Sequence, residues 1–151
     1  MQKPEFVYVT YIRTTPEKLW EALVQPEITR QYWGNMRNVS DWKKGSKWEH
    51  LAPDDKEAWV FGEVLEINPP KRLVMSWIDP ENTTDKSCVT LELEPKEDMV
   101  CLKVIHGDFS EGSTMPGKIS QGWPLVLSSL KSYLETGNAI DIFAIKGKCK
   151  S

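Results

Sequence analysis

Apolar positions follow two different periods along this chain. Phe6–Ile12 is a β-branched and aromatic run that reads as a strand, with apolar residues on both faces. Thr15-Pro-Glu-Lys then opens a helix: Thr15 can cap, Pro16 suits the first turn and Glu17 complements the dipole. Leu19, Trp20, Leu23 and Val24 recur at helical spacing and form its core face. Pro26-Glu27 starts a short second helix carrying Ile28, Tyr32 and Trp33, which Gly34-Asn35 ends.

Alternation of period two dominates from there to about residue 107. Lys44-Gly45 turns into Ser46–Leu51, where Trp48 and His50 share a face. After the turn signal Pro53-Asp54-Asp55 come strands Trp59–Ile67 and Leu73–Ile78, the latter with Leu73, Met75 and Trp77 on one side. Ser87–Glu94 alternates Val89, Leu91 and Leu93 with polar residues, and Pro95–Asp98 makes a hairpin. Val100, Leu102, Val104 and His106 continue one face of the last strand. Short turns between successive strands predict an antiparallel meander of about six. A polar loop, 107–117, precedes the longest helix, read as Ser120–Thr136 because Pro124 suits only a first turn. Ile119, Trp123, Val126, Leu127, Leu130, Tyr133 and Leu134 form its apolar stripe, and Gly137-Asn138 stops it.

These elements predict an α+β domain: a curved antiparallel sheet of six to seven strands wrapped around the C-terminal helix, with two short helices after the first strand. The boundary expected is a domain over 1–137 and a tail over 138–151. The helix need not touch the sheet everywhere, so a cavity can remain between them.

Composition narrows the function classes. At 151 residues with 40% hydrophobic and 27% charged residues, the chain has the makeup of one globular domain. Nineteen basic against 22 acidic residues give a net charge of −3, which offers nucleic acid no basic field. Nothing is apolar for long enough to span a membrane, and the start Met1-Gln-Lys-Pro-Glu lacks a signal peptide's apolar stretch. Cys88, Cys101 and Cys149 show no C-x-x-C spacing and fit reduced thiols of the cytoplasm. With only His50 and His106 available, no His-rich metal site forms.

Candidate chemistry lies in the aromatics. Seven Trp accompany four Tyr and four Phe, and Trp33, Trp48, Trp59, Trp77 and Trp123 either fill a core or wall a wide interior. Met36, Met75 and Met115 add adaptable apolar surface. His106 ends an alternating apolar series that points it toward the cavity. It reads as a structural histidine held by backbone, as a ligand contact, or as an acid–base group. Nucleophile elbows, activated cysteines and phosphate loops are absent from the sequence, so no catalytic residue is assigned. The tail residues Ile140, Ile142, Phe143 and Ile145 are apolar enough to seek cover on the domain or on a second copy of the chain, and Lys146, Lys148 and Lys150 follow them.

Five segments carry a family resemblance. They are Thr15-Pro-Glu-Lys-Leu-Trp-Glu-Ala-Leu23 with Pro26-Glu27; Gly62-Glu-Val-Leu-Glu-Ile-Asn-Pro-Pro-Lys-Arg-Leu73 with Trp77; His106-Gly107; Gly122-Trp123; and Leu127, Leu130-Lys131 with Leu134-Glu-Thr-Gly137. Over about residues 6–137 the chain resembles the helix-grip superfamily of START and Bet v 1-like domains. Within it, the chain is similar to homologues of the C-terminal domain of the activator of Hsp90 ATPase. The resemblance implies a helix-grip fold and a cavity under the long helix, without implying a reaction. The function expected is non-catalytic binding of a lipophilic small molecule, with no cofactor and no metal. The residues expected to line the space are Trp33, Trp48, Met75, Trp77, His106, Met115, Trp123, Leu127 and Leu130. Two alternatives stand beside it: a chaperone partner of the Hsp90-activator kind, and a cyclase- or hydrolase-type enzyme using His106.

Overall fold

The computed structural model describes residues 5–54 and 56–143. Strand β1 (Phe6–Ile12) leads into helices α1 (Pro16–Val24) and α2 (Pro26–Tyr32). Six strands follow: β2 (Arg37–Ser40), β3 (Lys47–Leu51), β4 (Ala58–Asn68), β5 (Arg72–Asp79), β6 (Asn82–Lys96) and β7 (Met99–Gly107). Helix α3 (Met115–Thr136) completes the described elements. The seven strands form one antiparallel sheet in the order β1-β7-β6-β5-β4-β3-β2. β2 to β7 are therefore a meander, while β1 and β2, neighbours in sequence, occupy opposite edges. α1 and α2 make that edge-to-edge connection, and α3 packs beside them against β1. This is the helix-grip fold.

Local chemistry explains most boundaries. Thr15 Oγ1 accepts from the Lys18 N–H at 3.2 Å, and Pro16 opens α1. Leu19, Trp20, Ala22, Leu23 and Val24 are its buried face. α3 ends at Gly137 with φ 84°, the left-handed conformation that a side chain disfavours. On β1 the ambiguity resolves: Phe6, Tyr8, Thr10 and Ile12 turn inward, and Val7, Val9 and Tyr11 face solvent. A register shift between Val64 and Glu66 adds one residue to β4, bending the sheet and exchanging the faces beyond it.

Three elements differ from expectation. β2 is a short polar strand that hydrophobic periodicity passes over. β6 begins at Asn82 instead of Ser87, because its inward positions there are the polar Asp85 and Ser87, each with a polar partner: Ser113 Oγ donates to Asp85 at 2.5 Å, and Ser87 Oγ meets the buried His106 at 2.8 Å. α3 starts at Met115, five residues before Ser120. Pro116 holds the first turn and Pro124 lies inside the helix. Packing over the sheet outweighs the one backbone bond that Pro124 cannot donate to the carbonyl four residues back.

The tail also belongs to the domain as far as residue 143. Ser129 Oγ bridges the N–H and C=O of Ile140, both at 3.1 Å, and Ile142 is buried in the core. The Phe143 ring lies over Gly34, where a Cβ would come within 2.2 Å of Cε2. Ile145, Cys149 and the three tail lysines lie outside the described residues, as does Asp55.

Trp48 is among the largest fully buried side chains, and its indole crosses β4 at Gly62 and donates to the Ser76 carbonyl on β5 at 2.7 Å. A Cβ at residue 62 would stand 2.0 Å from Ser76 O and 2.7 Å from Trp48 Nε1. Gly62→Ala is expected to lower unfolding free energy by about 2–4 kcal/mol, from overpacking and a lost hydrogen bond. Urea denaturation checks this, and an unchanged midpoint would contradict it.

Candidate functional site

α3 lies over the concave face without filling the space beneath it evenly. Toward its middle and C-terminal half, Leu127 and Leu130 belong with Tyr32, Trp48, Leu73 and Leu102 to one closely packed buried core. A gap of only about 10 Å³ remains there, among Trp48, Met75, Trp77, Leu127 and their neighbours. Toward the N-terminal half the helix stands away from the sheet, and a cavity of about 610 Å³ opens. Small-molecule sites span roughly 300–1,000 Å³.

Its walls come from every layer. Met115, Lys118, Ile119, Gly122, Trp123 and Val126 present one helical stripe of α3. Trp33 and Met36 come from the end of α2 and the turn after it, His50 from β3, Trp59 and Val60 from β4, and Trp77 and Asp79 from β5. Ile142 and Phe143 of the tail close one side. Glu57, Asp79, Glu81 and Lys118 are its charged residues, with Lys118 Nζ 3.8 Å from Asp79. The aromatic surface is continuous: ring centres of Trp33 and Trp123, and of Trp123 and Trp77, lie 5.6 Å apart.

The structure brings together four of the nine expected lining residues: Trp33, Trp77, Met115 and Trp123. Trp48, Met75 and Leu127 border the small gap in the solid half instead, and Leu130 is wholly buried in the core. Periodicity assigns these to the inward face correctly, but it carries no information on depth beneath the helix.

His106 also lies apart from the cavity wall. It is fully buried, with Trp77 edge-on at 5.0 Å and Phe109 stacked at 5.2 Å. Trp123 Nε1–H donates to Nδ1 at 3.1 Å, so Nδ1 is unprotonated. The ring proton therefore sits on Nε2, 2.8 Å from Ser87 Oγ. Both nitrogens are committed, which favours the structural reading, although the partners are side chains and not backbone. Through Trp123, His106 positions one cavity wall.

His50, weighed in the sequence only as a metal ligand, is the histidine on the cavity wall. Nδ1 lies 2.6 Å from Asn38 Oδ1, its direct partner across the β2–β3 ladder, and its ring packs 4.7 Å from Trp33. The signal for this role was Asn38, hidden in the unread strand. The Trp77 indole N–H is buried without a hydrogen-bond partner among the described residues. Also among the described residues, no group of three or more His, Cys, Asp or Glu is placed to hold a metal ion. Among the described residues no helix is long and apolar enough to cross a membrane.

Burial lowers both imidazoles to a pKa of about 4. The unfolded chain takes up these protons near pH 6.5 while the folded chain does not. Stability is thus complete above pH 6.5 and declines toward pH 4, by up to about 1.4 kcal/mol per pH unit for each histidine. Unfolding midpoints measured across pH 8 to 4 are expected to fall from just below 6.5; a flat profile down to pH 4.5 would contradict the two neutral rings.

Comparison with solved structures finds the same fold at low sequence identity. CalU16 from Micromonospora echinospora superposes with a TM-score of 0.74 at 19% identity, covering 95% of this chain and 82% of that one. The Aha1 dimer from Colwellia psychrerythraea gives 0.73 at 20%, covering 89% and 98%. An HSP90 activator from Plasmodium falciparum gives 0.68 at 22%, covering 95% and 96%. Comparison with curated proteins finds no match. Residues 13–135 match the family described as Activator of Hsp90 ATPase homolog 1-like protein. With helix, curved sheet and the five sequence segments all in place, the chain belongs to that AHSA1 family.

Proposed function

We propose that this protein binds a lipophilic small molecule in the space between the N-terminal half of α3 and the sheet. The observation that carries the reading is the aromatic-walled cavity of about 610 Å³, set beside a core that is otherwise closely packed. Interiors normally fill to crystal-like density, so a hollow of this size forgoes apolar contacts that a guest would restore. Trp33, Trp77 and Trp123 offer flat contact surface, and Met36 and Met115 adapt to shape. The acid–base alternative loses its candidate, since His106 is engaged at both nitrogens away from the wall.

A panel of polycyclic aromatics and lipids read by Trp emission tests the proposal. Binding is expected to change emission and to stabilise the fold, by about 2.7 kcal/mol at a ligand concentration of 100 Kd. Unchanged emission and melting temperature across the panel would overturn it. Gly122 supplies a control, because a Cβ there meets nothing within 4 Å. Gly122→Leu is expected to keep or raise the melting temperature through its helix propensity, about 1 kcal/mol, while blocking the cavity.

A second reading, partnership with an Hsp90-type chaperone, is favoured by the family description and by the activator from Plasmodium falciparum. It predicts faster ATP turnover by a cognate chaperone when the protein is added in stoichiometric amounts. No change in turnover would dismiss it without touching the cavity.

A further inference from the structure

We infer that the cavity selects an uncharged aromatic molecule carrying a hydroxyl group, which donates its hydrogen bond to Nε2 of His50. The inference rests on the small-molecule reading of the cavity and adds to it the chemical class of the guest.

His50 is 4% exposed and stands on the cavity wall. Its partner fixes the tautomer. Asn38 Oδ1 can only accept, so the 2.6 Å contact requires the ring proton on Nδ1. Asn38 is itself held in place: it faces His50 across the ladder, and its N–H donates to Thr29 Oγ1 at 3.1 Å. Nε2 therefore carries a lone pair. On the cavity wall that lone pair can take a donor from the guest, a hydrogen bond with a net worth of about 0.5–1.5 kcal/mol.

Charge narrows the class. The imidazole is neutral, so it provides no cation for a carboxylate or phosphate. Glu57, Asp79 and Glu81 outnumber Lys118 among the lining residues, and Lys118 is already paired with Asp79. An anionic guest would meet net repulsion there. The adjoining Trp33 ring, 4.7 Å from His50, offers a flat apolar face beside the hydroxyl's acceptor. A phenol combines these demands: a planar apolar body, no charge near neutral pH, and one strong donor.

Three probes differing at one substituent test this: 2-hydroxyfluorene, 2-methoxyfluorene and fluorene-2-carboxylate, titrated at pH 7 and read by Trp emission. The hydroxyl compound is expected to bind about tenfold more tightly than its methyl ether, and the carboxylate least well. His50→Phe is expected to bring the hydroxyl-to-ether affinity ratio from about tenfold to near one, whatever it does to the affinity of either compound alone. If that variant does not fold, the ¹⁵N resonance of His50 Nε2 in the unaltered protein replaces it, moving with 2-hydroxyfluorene and not with the ether. Equal affinity for hydroxyl and ether, or tightest binding of the carboxylate, overturns this inference while leaving the cavity a binding site. Failure of all three to bind overturns the inference, and the binding reading falls with it only if the wider panel of lipids and polycyclic aromatics is silent as well.

Discussion

Because residue 62 has no side chain, the Trp48 indole can lie across β4 and hydrogen-bond to the Ser76 carbonyl on β5. One ring thereby ties β3, β4 and β5 together beneath α3. It also occupies the volume that would otherwise extend the hollow toward the C-terminal end of the helix. Tyr32 seals the same region from the other side, its hydroxyl donating to the Ala22 carbonyl at 2.7 Å. The division of the interior into a solid half and an open half follows from where these two large side chains are anchored. Trp77 stands at the junction, 5.5 Å from Trp48 and on the wall of the open half.

The two histidines show how similar burial yields different chemistry. Each is neutral for the same physical reason, loss of hydration, yet their partners fix opposite tautomers. Trp123 donates to Nδ1 of His106, placing the proton on Nε2; Asn38 accepts from Nδ1 of His50, leaving Nε2 bare. The first ring is saturated by Ser87 and Trp123 and serves as scaffold. The second stands on the cavity wall with Nε2 left as an acceptor. A count of histidines, or their positions in a strand pattern, cannot separate these roles; the donor or acceptor nature of the neighbour does.

The inward faces of β5, β6 and β7 were legible because strict alternation survives there, and the caps at Thr15 and Gly137 announced helix ends through residue chemistry alone. The readings that failed share a cause: tertiary packing overrode a local rule. Pro124 argued for a late helix start, but covering the sheet keeps α3 continuous from Met115, and that extra turn supplies Met115, Lys118 and Ile119 to the cavity. Asp85 and Ser87 broke the apolar pattern of β6 because each answers a polar group on another element. β2, four residues long and mostly polar, gave no periodic signal, and with it went the partner that identifies His50. Alternation tells which way a residue faces; how far it lies beneath α3 is set by the side chains on the opposite layer, and this is why Trp48, Met75, Leu127 and Leu130 face inward yet lie in the closely packed half.

Ile142 and Phe143 stand beyond the residues shared with the family, yet they form part of the cavity wall, with Phe143 resting on the bare backbone of Gly34. The segment that bears them is tied to α3 by the hydroxyls of Ser129, Ser132 and Thr136. Ile142 is anchored in the core, whereas substitutions at the exposed Phe143 can reshape one boundary of the hollow at little cost to the sheet or the helices. The outline of the cavity can therefore change through a short appendage while the scaffold stays constant, so that variable shape and fixed framework occupy separate stretches of chain.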